Sequence, residues 1–411
     1  NRPRGTEGWT MSPAGDRKTA TGGDGDGGTA TDAHAEHAVV SLEDVEVHFE
    51  NRRGILDLFG ESEHVRAVDG VSLDVHENDV VAVIGESGCG KTTLGKAAIG
   101  LQRPTGGSVK YRGQDIWDAK DGTGDVAVPY GEIRRSLQII HQDPGSSLNP
   151  NQTVLTTLRQ PLDRWRSGLS RDEKEATILG MLEEVGLTPA SDYAYRYPHQ
   201  LSGGEKQRIA LVRSLLMEPD LILADEAVSA LDVSLRVDMM DLMLELQERF
   251  DTSFLFISHN LSNARYFAGR ADGRIAIMYL GHVVEVGPYD EVLANPQHPY
   301  TKVLKWATPE LEVKHGEITE PPVREIDIPD PVDPPSGCRF HTRCPEAREY
   351  CVGERPELLD VGDEHGAACY RVDDAHPYWE SDPLPGVAAA SEGSDGDAGA
   401  AAPDGGGEPD V

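Results

Sequence analysis

The most constraining feature of this 411-residue chain is an octet that lies between a short apolar run and a helical segment. Residues 85–92 read Gly-Glu-Ser-Gly-Cys-Gly-Lys-Thr, which satisfies the phosphate-binding pattern G-x-x-x-x-G-K-[ST]. Residues 80–84 before it are typical of a strand buried on both faces of a parallel sheet, and residues 91–99 after it favour a helix. The octet therefore predicts a nucleotide phosphate site, or P-loop, on an α/β fold.

Within this P-loop, the glycines let backbone N–H groups turn towards phosphate oxygens, and the N-terminus of the helix faces the same anion. We expect the Lys91 ammonium group to reach the β- and γ-phosphates and the Thr92 hydroxyl group to bind Mg²⁺. The residues expected to contact ATP here are Gly85, Ser87, Gly88, Gly90, Lys91, Thr92 and Thr93.

A second acidic site ends another buried strand. Residues 221–224 are apolar and lead directly into Asp225 and Glu226. We expect Asp225 to bind Mg²⁺, directly or through water, and Glu226 to polarise the water that attacks the γ-phosphate. The alternative is that the two carboxylates only begin a loop.

The pattern around these motifs indicates an α/β core. Residues 45–49 and 254–257 favour strands, and residues 206–217 favour a helix. The stretch from about 143 to 215 shows no strand pattern, unlike the segments on either side of it. It includes an amphipathic helix at 171–185, so it predicts a helical subdomain. A hairpin formed by 275–279 and 283–286 is expected to end the core.

Residues 201–205, Leu-Ser-Gly-Gly-Glu, precede a helix and complete a set that resembles the nucleotide-binding subunit of an ABC transporter. The resemblance implies a head-to-tail pair of subunits in which the signature of one contacts the γ-phosphate bound by the other. It also implies a Q-loop, a D-loop, a switch histidine and an aromatic residue stacked on adenine. The corresponding residues are Ser202, Gly203 and Gly204 for the signature, Gln142 for the Q-loop (catalytic and Mg²⁺-binding), Asp232 for the D-loop, His259 for the switch and Phe49 for adenine.

Two further segments resemble the oligopeptide/dipeptide (peptide/nickel) importer subclass. These are the HPYT sequence at 298–301 and residues 141–150, which read His-Gln-Asp-Pro-Gly-Ser-Ser-Leu-Asn-Pro. The resemblance implies an ATP-binding domain at 39–295 and a small irregular C-terminal extension at 296–378. It also implies partners: a second, commonly non-identical ATPase subunit, two membrane permeases and an external substrate-binding protein. The chain would then lie peripherally on the cytoplasmic face of the membrane.

The extension contains four cysteines, Cys338, Cys344, Cys351 and Cys369. A reducing cytoplasm disfavours disulfides, and the tight C-x-x-C knuckles of most zinc sites are absent. Iron–sulfur clusters accept four thiolates at looser spacing, and the extension resembles that of subunits able to carry a [4Fe–4S] cluster. Cluster, Zn²⁺ and unmetallated thiols all remain open. Because the cysteines lie far in sequence from the ATP motifs, we expect them to stabilise the extension and to take no part in ATP chemistry.

The composition adds 38 basic against 71 acidic residues, a formal net charge of −33. Such acidity argues against nucleic acid as a ligand, since phosphate binding needs clustered Lys and Arg. It resembles the surface chemistry of haloarchaeal proteins, whose repulsion is screened by salt. The alternative is that two acidic tails, predicted to be disordered at 1–38 and 379–411, carry much of the excess.

No apolar run is long enough for a membrane span, so we expect a soluble chain that works on membranes only through partners. The sequence thus predicts an ATP-hydrolysing subunit that energises the import of peptides or a related small solute. The alternative is a soluble ATP-dependent regulator with a metal- or redox-sensing C-terminal module. Specificity lies in partner proteins, so peptides, nickel and sugars remain open as solutes.

Overall fold

The computed structural model describes residues 38–51, 63–308 and 322–386. Residues 1–37 and 387–411 of the two predicted tails lie outside these ranges. Residues 379–386, which the sequence assigns to the C-terminal tail, instead pack on the extension: the Leu384 N–H donates to the Ala347 carbonyl oxygen at 3.0 Å, and Arg348 donates to the Ser381 carbonyl oxygen at 2.7 Å. Twelve strands and twelve helices of the described ranges are numbered in chain order, with short 3-10 turns between some of them. They are β1 (Ala38–Asn51), β2 (Glu63–His76), β3 (Val80–Ile84), α1 (Lys91–Ala98), β4 (Gly106–Tyr111), β5 (Gln114–Asp115), α2 (Ile116–Asp121), α3 (Tyr130–Ser136), β6 (Leu137–Ile140), α4 (Val154–Trp165), α5 (Arg171–Glu184), α6 (Ala190–Ala194), α7 (Gly203–Leu215), β7 (Leu221–Asp225), α8 (Val233–Phe250), β8 (Ser253–Ser258), α9 (Leu261–Arg270), β9 (Arg274–Tyr279), β10 (His282–Pro288), α10 (Tyr289–Ala294), α11 (Pro299–Trp306), α12 (Tyr350–Gly353), β11 (Leu359–Asp360) and β12 (Gly366–Ala367).

Two sheets form the core. An antiparallel sheet has the order β2-β1-β4-β5, and a mixed sheet has the order β11-β12-β10-β9-β3-β8-β7-β6. In the mixed sheet β6, β7, β8, β3 and β9 pair in parallel. β10 and β12 then add antiparallel neighbours. Because the carboxyl ends of the parallel strands share one edge, residues that follow β3, β6, β7 and β8 meet there.

Strand β3 is buried on both faces, as its unbroken apolar sequence predicts. Val80, Ala82 and Ile84 belong to an apolar cluster shared with the helical region and with α8 and α9. Val81 and Val83 face a second cluster, built with β1, β2 and α1. The strand that leads into the P-loop is therefore held between two cores.

Helices replace strands between β6 and β7, as predicted. Helix α5 begins at Arg171 because Ser170 and Glu173 form a capping box: the Ser170 hydroxyl accepts from the Glu173 N–H at 3.3 Å, and the Glu173 carboxylate accepts from the Ser170 N–H at 2.7 Å. In the ranges that the structure describes, none of the helices combines the length and the apolar composition needed to cross a membrane.

The prediction that the β9–β10 hairpin ends the core is wrong. β10 pairs on its far side with β12, through Glu285 opposite Ala367 and Val286 opposite Gly366. The C-terminal region therefore contributes strands to the main sheet. Each of these strands has only two residues, which is too short to show an alternating pattern in the sequence.

The Glu285 carboxylate anchors this junction. It is fully buried and accepts hydrogen bonds from the backbone N–H groups of Gln297 and His298 at 2.7 and 2.9 Å, and from the Thr301 hydroxyl at 2.5 Å. His365 pairs with it at 2.8 Å. Burial is the main cause that lowers the pKa of His298 to about 4, so this ring is neutral near pH 7. The HPYT segment is thus attached to the core through one buried acid.

Candidate nucleotide-binding site

The P-loop connects β3 to α1 and follows a path that only glycine permits at several positions. Gly88 and Gly90 have φ values of +81° and +108°, which L-residues with a side chain rarely adopt. A Cβ atom on Gly85 would lie 2.1 Å from the Met278 carbonyl oxygen, and one on Gly90 would lie 2.0 Å from that of Ala67. The loop is therefore pressed against β9 on one side and β2 on the other.

Lys91 lies inside this loop. Its side chain is buried, and Nζ donates to the carbonyl oxygens of Gly85 and Glu86 at 2.8 and 2.9 Å. Ser87 and Gly88 are exposed, and Thr92 and Thr93 are half-buried in the first turn of α1. The loop thus places an ammonium group, small residues and a helix N-terminus around one concave backbone segment.

Thr92 and Asp225 come together although 133 residues separate them. The Thr92 hydroxyl donates to Oδ1 of the buried Asp225 carboxylate at 2.8 Å. Both are oxygen donors, and Mg²⁺ in phosphate sites prefers a few such ligands together with phosphate oxygens and water. The donor set therefore fits Mg²⁺.

Glu226 follows at the end of β7 with its backbone in the left-handed region, at φ +49°. For a residue with a side chain this conformation is strained, and such strain concentrates at functional sites. The Glu226 N–H donates to the Ile257 carbonyl oxygen at 3.1 Å, and the Ser229 hydroxyl donates to the Glu226 carbonyl oxygen at 2.7 Å. Glu226 Oε1 lies 3.2 Å from His259 Nδ1. The predicted catalytic acid and switch histidine are thus in contact.

Gln142 lies at the same edge. It follows β6, whose Ile140 pairs with Ala224 of β7, so Gln142 and Glu226 each come two residues after paired positions. The Gln142 side chain is exposed. Burial lowers the pKa of the neighbouring His141, while the Asp225 carboxylate opposes the shift, which indicates that this loop passes close to Asp225.

The signature segment begins α7. The Ser202 hydroxyl accepts from the Glu205 N–H at 3.3 Å, and the Glu205 carboxylate accepts from the Ser202 N–H at 2.6 Å, which is a capping box. Ser202 and Gly203 are exposed, and Gly204 is half-buried beside Leu235 of α8. This helix N-terminus therefore faces outward from the chain.

The predicted D-loop residue lies on the same surface. Asp232 is exposed and caps α8 by accepting from the Leu235 N–H at 3.1 Å. The apolar side chains of Val233 and Leu235 beside it are 75% and 42% exposed. Signature, D-loop and exposed apolar residues thus form one outward face.

Phe49 is 41% exposed near the end of β1, where it pairs with Val65 of β2. The same two-stranded ribbon contacts the P-loop through Ala67, next to Gly90. Residues 52–62, which follow Phe49, lie outside the described ranges.

Sequence reasoning missed the contacts on Glu86, the second residue of the P-loop. Arg343 donates to both of its carboxylate oxygens, from Nη1 at 2.9 Å and from Nη2 at 3.2 Å. The Tyr300 hydroxyl accepts from the Glu86 backbone N–H at 2.9 Å. The HPYT segment was visible in the sequence, but nothing local to it or to Arg343 indicates a partner more than 200 residues away.

The four C-terminal cysteines line one cavity of about 20 Å³, together with His298, Phe340 and Tyr378. Burial raises the pKa of Cys344 to about 12 and that of Cys369 to about 11, and it also raises the pKa values of Cys338 and Cys351. Cys89 lies apart, buried within the P-loop itself. No three His, Cys, Asp or Glu side chains of the described residues stand in an arrangement that could hold a metal ion. The donors suit a cluster in kind, but they are not placed as its ligands.

Comparison with known sequences places this geometry in a family. The sequence profile described as ABC transporter matches residues 68–229, and that described as oligopeptide/dipeptide transporter, C-terminal region, matches residues 284–351. The di/tripeptide transport ATP-binding protein DppF of Pseudomonas aeruginosa is 40% identical over 82% of this chain and 98% of its own length. The chain belongs to the ABC transporter family, as an ATP-binding subunit.

Other members of the ABC transporter family agree with this placement. The oligopeptide transport ATP-binding protein OppF of Salmonella typhimurium is 39% identical over 82% of this chain and 96% of its own. A solved dimeric ATP-binding cassette, described as a post-hydrolysis state bound to ADP and Pi, is 27% identical over 61% of this chain and 98% of its own, with a TM-score of 0.50. This chain is accordingly an ABC-type ATPase that uses ATP and Mg²⁺, with the P-loop ABC fold that the sequence predicts.

Proposed function

We propose that this chain hydrolyses ATP to energise the import of peptides or a related small solute. The observation that carries the proposal is the match along nearly the whole length of relatives named for peptide transport, which includes both the ATP-binding core and the C-terminal region. Those names favour transport over the alternative of a soluble regulator. The proposed setting is the cytoplasmic face of the membrane, with two permeases and an external substrate-binding protein.

We further propose that the chain works with a second, non-identical ATPase subunit. Support for a pairing of subunits comes from the outward face formed by Ser202, Gly203, Asp232, Val233 and Leu235, where exposed apolar side chains lie beside polar helix ends. The non-identical partner is what the resemblance to the importer subclass implies. A partner packed head to tail would bring its own P-loop phosphates to this face. The proposed division of the chain remains 39–295 for the ATP-binding domain, with a helical subdomain at about 143–215, and 296–378 for the extension.

In the proposed reaction, water attacks the γ-phosphorus atom, the bond to the ADP oxygen breaks, and ADP and inorganic phosphate leave. Glu226 accepts a proton from the attacking water. His259, which contacts Glu226, orients it and reaches the γ-phosphate. Lys91 would hold the β- and γ-phosphates, and Thr92, Asp225 and Gln142 would hold Mg²⁺, which would supply positive charge beside the phosphate oxygens. Phe49 would stack on adenine.

Transport by the reconstituted complex tests the function. Vesicles that contain the permeases, both ATPase subunits and the binding protein should accumulate a labelled peptide when MgATP is supplied on the side of this chain. Parallel vesicles should receive nickel or a sugar, which separates the solutes that the sequence leaves open. ATP hydrolysis with no uptake of any of the three would contradict the import function while leaving the ATPase assignment intact.

We also propose that the four C-terminal cysteines bind one [4Fe–4S] cluster, with a tetrahedral Zn²⁺ site as the alternative. The support is their convergence on one buried cavity and the chemistry of four sulfur donors. The surrounding turns would have to rearrange, since the present placement of the described residues does not form a ligand geometry.

Anaerobically purified protein should therefore contain about four iron atoms per chain and be brown. The Cys344→Ser variant should lose the metal because the site needs all four thiolates, and it should lose stability more than it loses ATPase rate per folded molecule. Cys89→Ser, a matched control outside the cavity, should keep full metal content. One zinc per chain would select the alternative, and free alkylation of all four thiols in native protein would overturn both.

We propose, finally, that the folded surface is adapted to high salt, as in haloarchaeal proteins. The two predicted tails contain fourteen acidic and four basic residues, so they account for only ten of the 33 net negative charges. Most of the excess lies in the remaining residues, where repulsion destabilises the compact state unless salt screens it.

Folding and ATPase activity should consequently require molar KCl, at which the screening length falls to about 3 Å. The check is to measure unfolding midpoints and ATP turnover from about 0.1 to about 3 M KCl, a range over which the screening length falls from about 10 Å to less than about 3 Å. A variant without residues 1–37 and 387–411 should keep the same requirement. Full stability and activity of the intact chain in dilute buffer would contradict the proposal.

A further inference from the structure

The segment Cys338–Cys344 contacts the P-loop at Glu86. Arg343, next to Cys344, is almost fully buried, and its guanidinium group forms the two-bond contact with Glu86. Its Nε also donates to the Glu325 carbonyl oxygen at 3.3 Å, and Nη1 lies 3.4 Å from the Tyr279 hydroxyl. The arginine is therefore fixed from several directions, and a two-bond fork of this kind restricts both position and angle of its carboxylate partner.

A second arginine of this segment supports the same region. Arg339 donates to the Leu280 carbonyl oxygen and to Asp69. The next residue, Gly281, donates from its N–H to the Cys89 carbonyl oxygen of the P-loop at 2.8 Å. Arg343 thus acts on the P-loop directly, and Arg339 acts on the residue before the one that hydrogen-bonds to the loop.

Aromatic packing joins these contacts to the HPYT segment. The Phe340 ring lies 5.2 Å from that of Tyr279 and 5.4 Å from that of Tyr300, between ring centres. Tyr300 is fully buried, and its hydroxyl accepts the Glu86 N–H. The backbone and side chain of Glu86 are consequently held by two separate elements of the C-terminal region.

Glu86 is also where the loop meets Lys91. Its carbonyl oxygen accepts from Lys91 Nζ at 2.9 Å and from the Cys89 N–H at 3.3 Å. A shift of Glu86 would therefore move the lysine and the turn through Cys89 and Gly90, whose amides point at phosphate in loops of this kind.

We propose that Arg343 is a positioning residue of the nucleotide site, which acts together with Tyr300 by fixing Glu86 and with it the phosphate-binding shape of the P-loop. The C-terminal extension is then part of the ATP site in function, through a residue that acts on the P-loop. This differs from the expectation that the cysteine region is separate from ATP chemistry. The inference rests on the proposed role of the P-loop in binding ATP.

Four variants of the full chain test it: Arg343→Gln, Arg343→Lys, Glu86→Gln and the double variant Arg343→Gln/Glu86→Gln. The dissociation constant for MgADP should rise about tenfold in Arg343→Gln, which corresponds to about 1.4 kcal/mol. Arg343→Lys, which keeps the charge but not the fork, should give an intermediate value. Because Arg343 acts through Glu86, the double variant should bind about as weakly as either single one.

Turnover separates positioning from a general loss of structure. In the reconstituted complex, the KM for ATP should rise about tenfold in Arg343→Gln, in line with binding. The kcat per folded molecule should stay within about twofold, since Glu226 and His259 are not contacted by the arginine. Arg348→Ala is the matched control, because Arg348 lies in the same extension but donates to the carbonyl oxygens of Trp379 and Ser381, and not to Glu86. It should leave the KM unchanged.

If Arg343→Gln does not fold, Glu86→Gln decides, because Glu86 is partly exposed and its amide can still accept one hydrogen bond. Wild-type binding of MgADP by Glu86→Gln, or fully additive losses in the double variant, would overturn the inference. Wild-type protein that binds no nucleotide would instead contradict the proposed function itself.

Discussion

The Glu226→Gln variant should bind MgATP as tightly as the wild-type chain and hydrolyse it at no more than about 1% of the wild-type rate. A positioned general base contributes about 10²–10⁴-fold to a rate, and an amide cannot accept the proton of the attacking water. The shape of the site should survive, because the Glu226 backbone is held by Ile257 and Ser229 and the substitution changes one atom of the side chain. Nucleotide titration and a phosphate-release assay measure the two quantities.

This variant should also accumulate as an ATP-bound pair of subunits, since hydrolysis no longer opens the head-to-tail arrangement. Light scattering with the partner subunit and MgATP would detect it. Glu248→Gln, on the exposed side of α8, makes the same chemical change away from the site and should behave as the wild type. Near-normal turnover of Glu226→Gln would remove Glu226 from the catalytic role.

Lys91→Ala should fail at the earlier step, with nucleotide affinity reduced at least about 30-fold. Removal of one partner from a buried, hydrogen-bonded charge pair costs about 2–5 kcal/mol, because the other charge loses its compensation. Lys91 is buried and already directed into the loop by the Gly85 and Glu86 carbonyl oxygens. Calorimetric titration with MgATP gives the affinity.

The exposed Lys305→Ala variant is the control for loss of one positive charge in an acidic chain. Together the pair of substitutions separates binding from chemistry: Glu226→Gln should bind without turnover, and Lys91→Ala should show neither. An affinity of Lys91→Ala within threefold of the wild type (about 0.6 kcal/mol) would contradict the role given to Lys91.

The sequence predicted the centre of the fold well because its signals there are long or chemically specific. The apolar runs that lead to Gly85 and to Asp225 are strands β3 and β7, and parallel pairing brings their ends to one edge. Thr92 and Asp225 are consequently in contact. Such a contact can be predicted from the sequence, because it depends only on the local apolar pattern and on the rule that the carboxyl ends of parallel strands lie at one edge of the sheet.

The parts that escaped prediction depend on tertiary packing. The left-handed backbone of Glu226 comes from its hydrogen bonds to other elements, and no residue type at that position indicates it. The contact between Arg343 and Glu86 spans 257 residues. HPYT was recognised as a hallmark of a subclass, but the role of Tyr300 as an acceptor for the P-loop required the packed structure.

The way β10 is completed has a consequence for the synthesis of the chain. Glu285 receives its His365 partner 80 residues after itself, and β12 covers β10 only then. At about 5–20 residues per second, a ribosome needs roughly four to sixteen seconds to add these 80 residues. During that time the outer edge of β10 is unpaired, and the Glu285 carboxylate, which is buried in the folded chain, lacks its His365 partner. An open edge invites pairing with another chain, and an unpaired acid opposes burial. The ATP-binding core is thus translated well before it can close, and the newly made protein is most prone to aggregate during that interval.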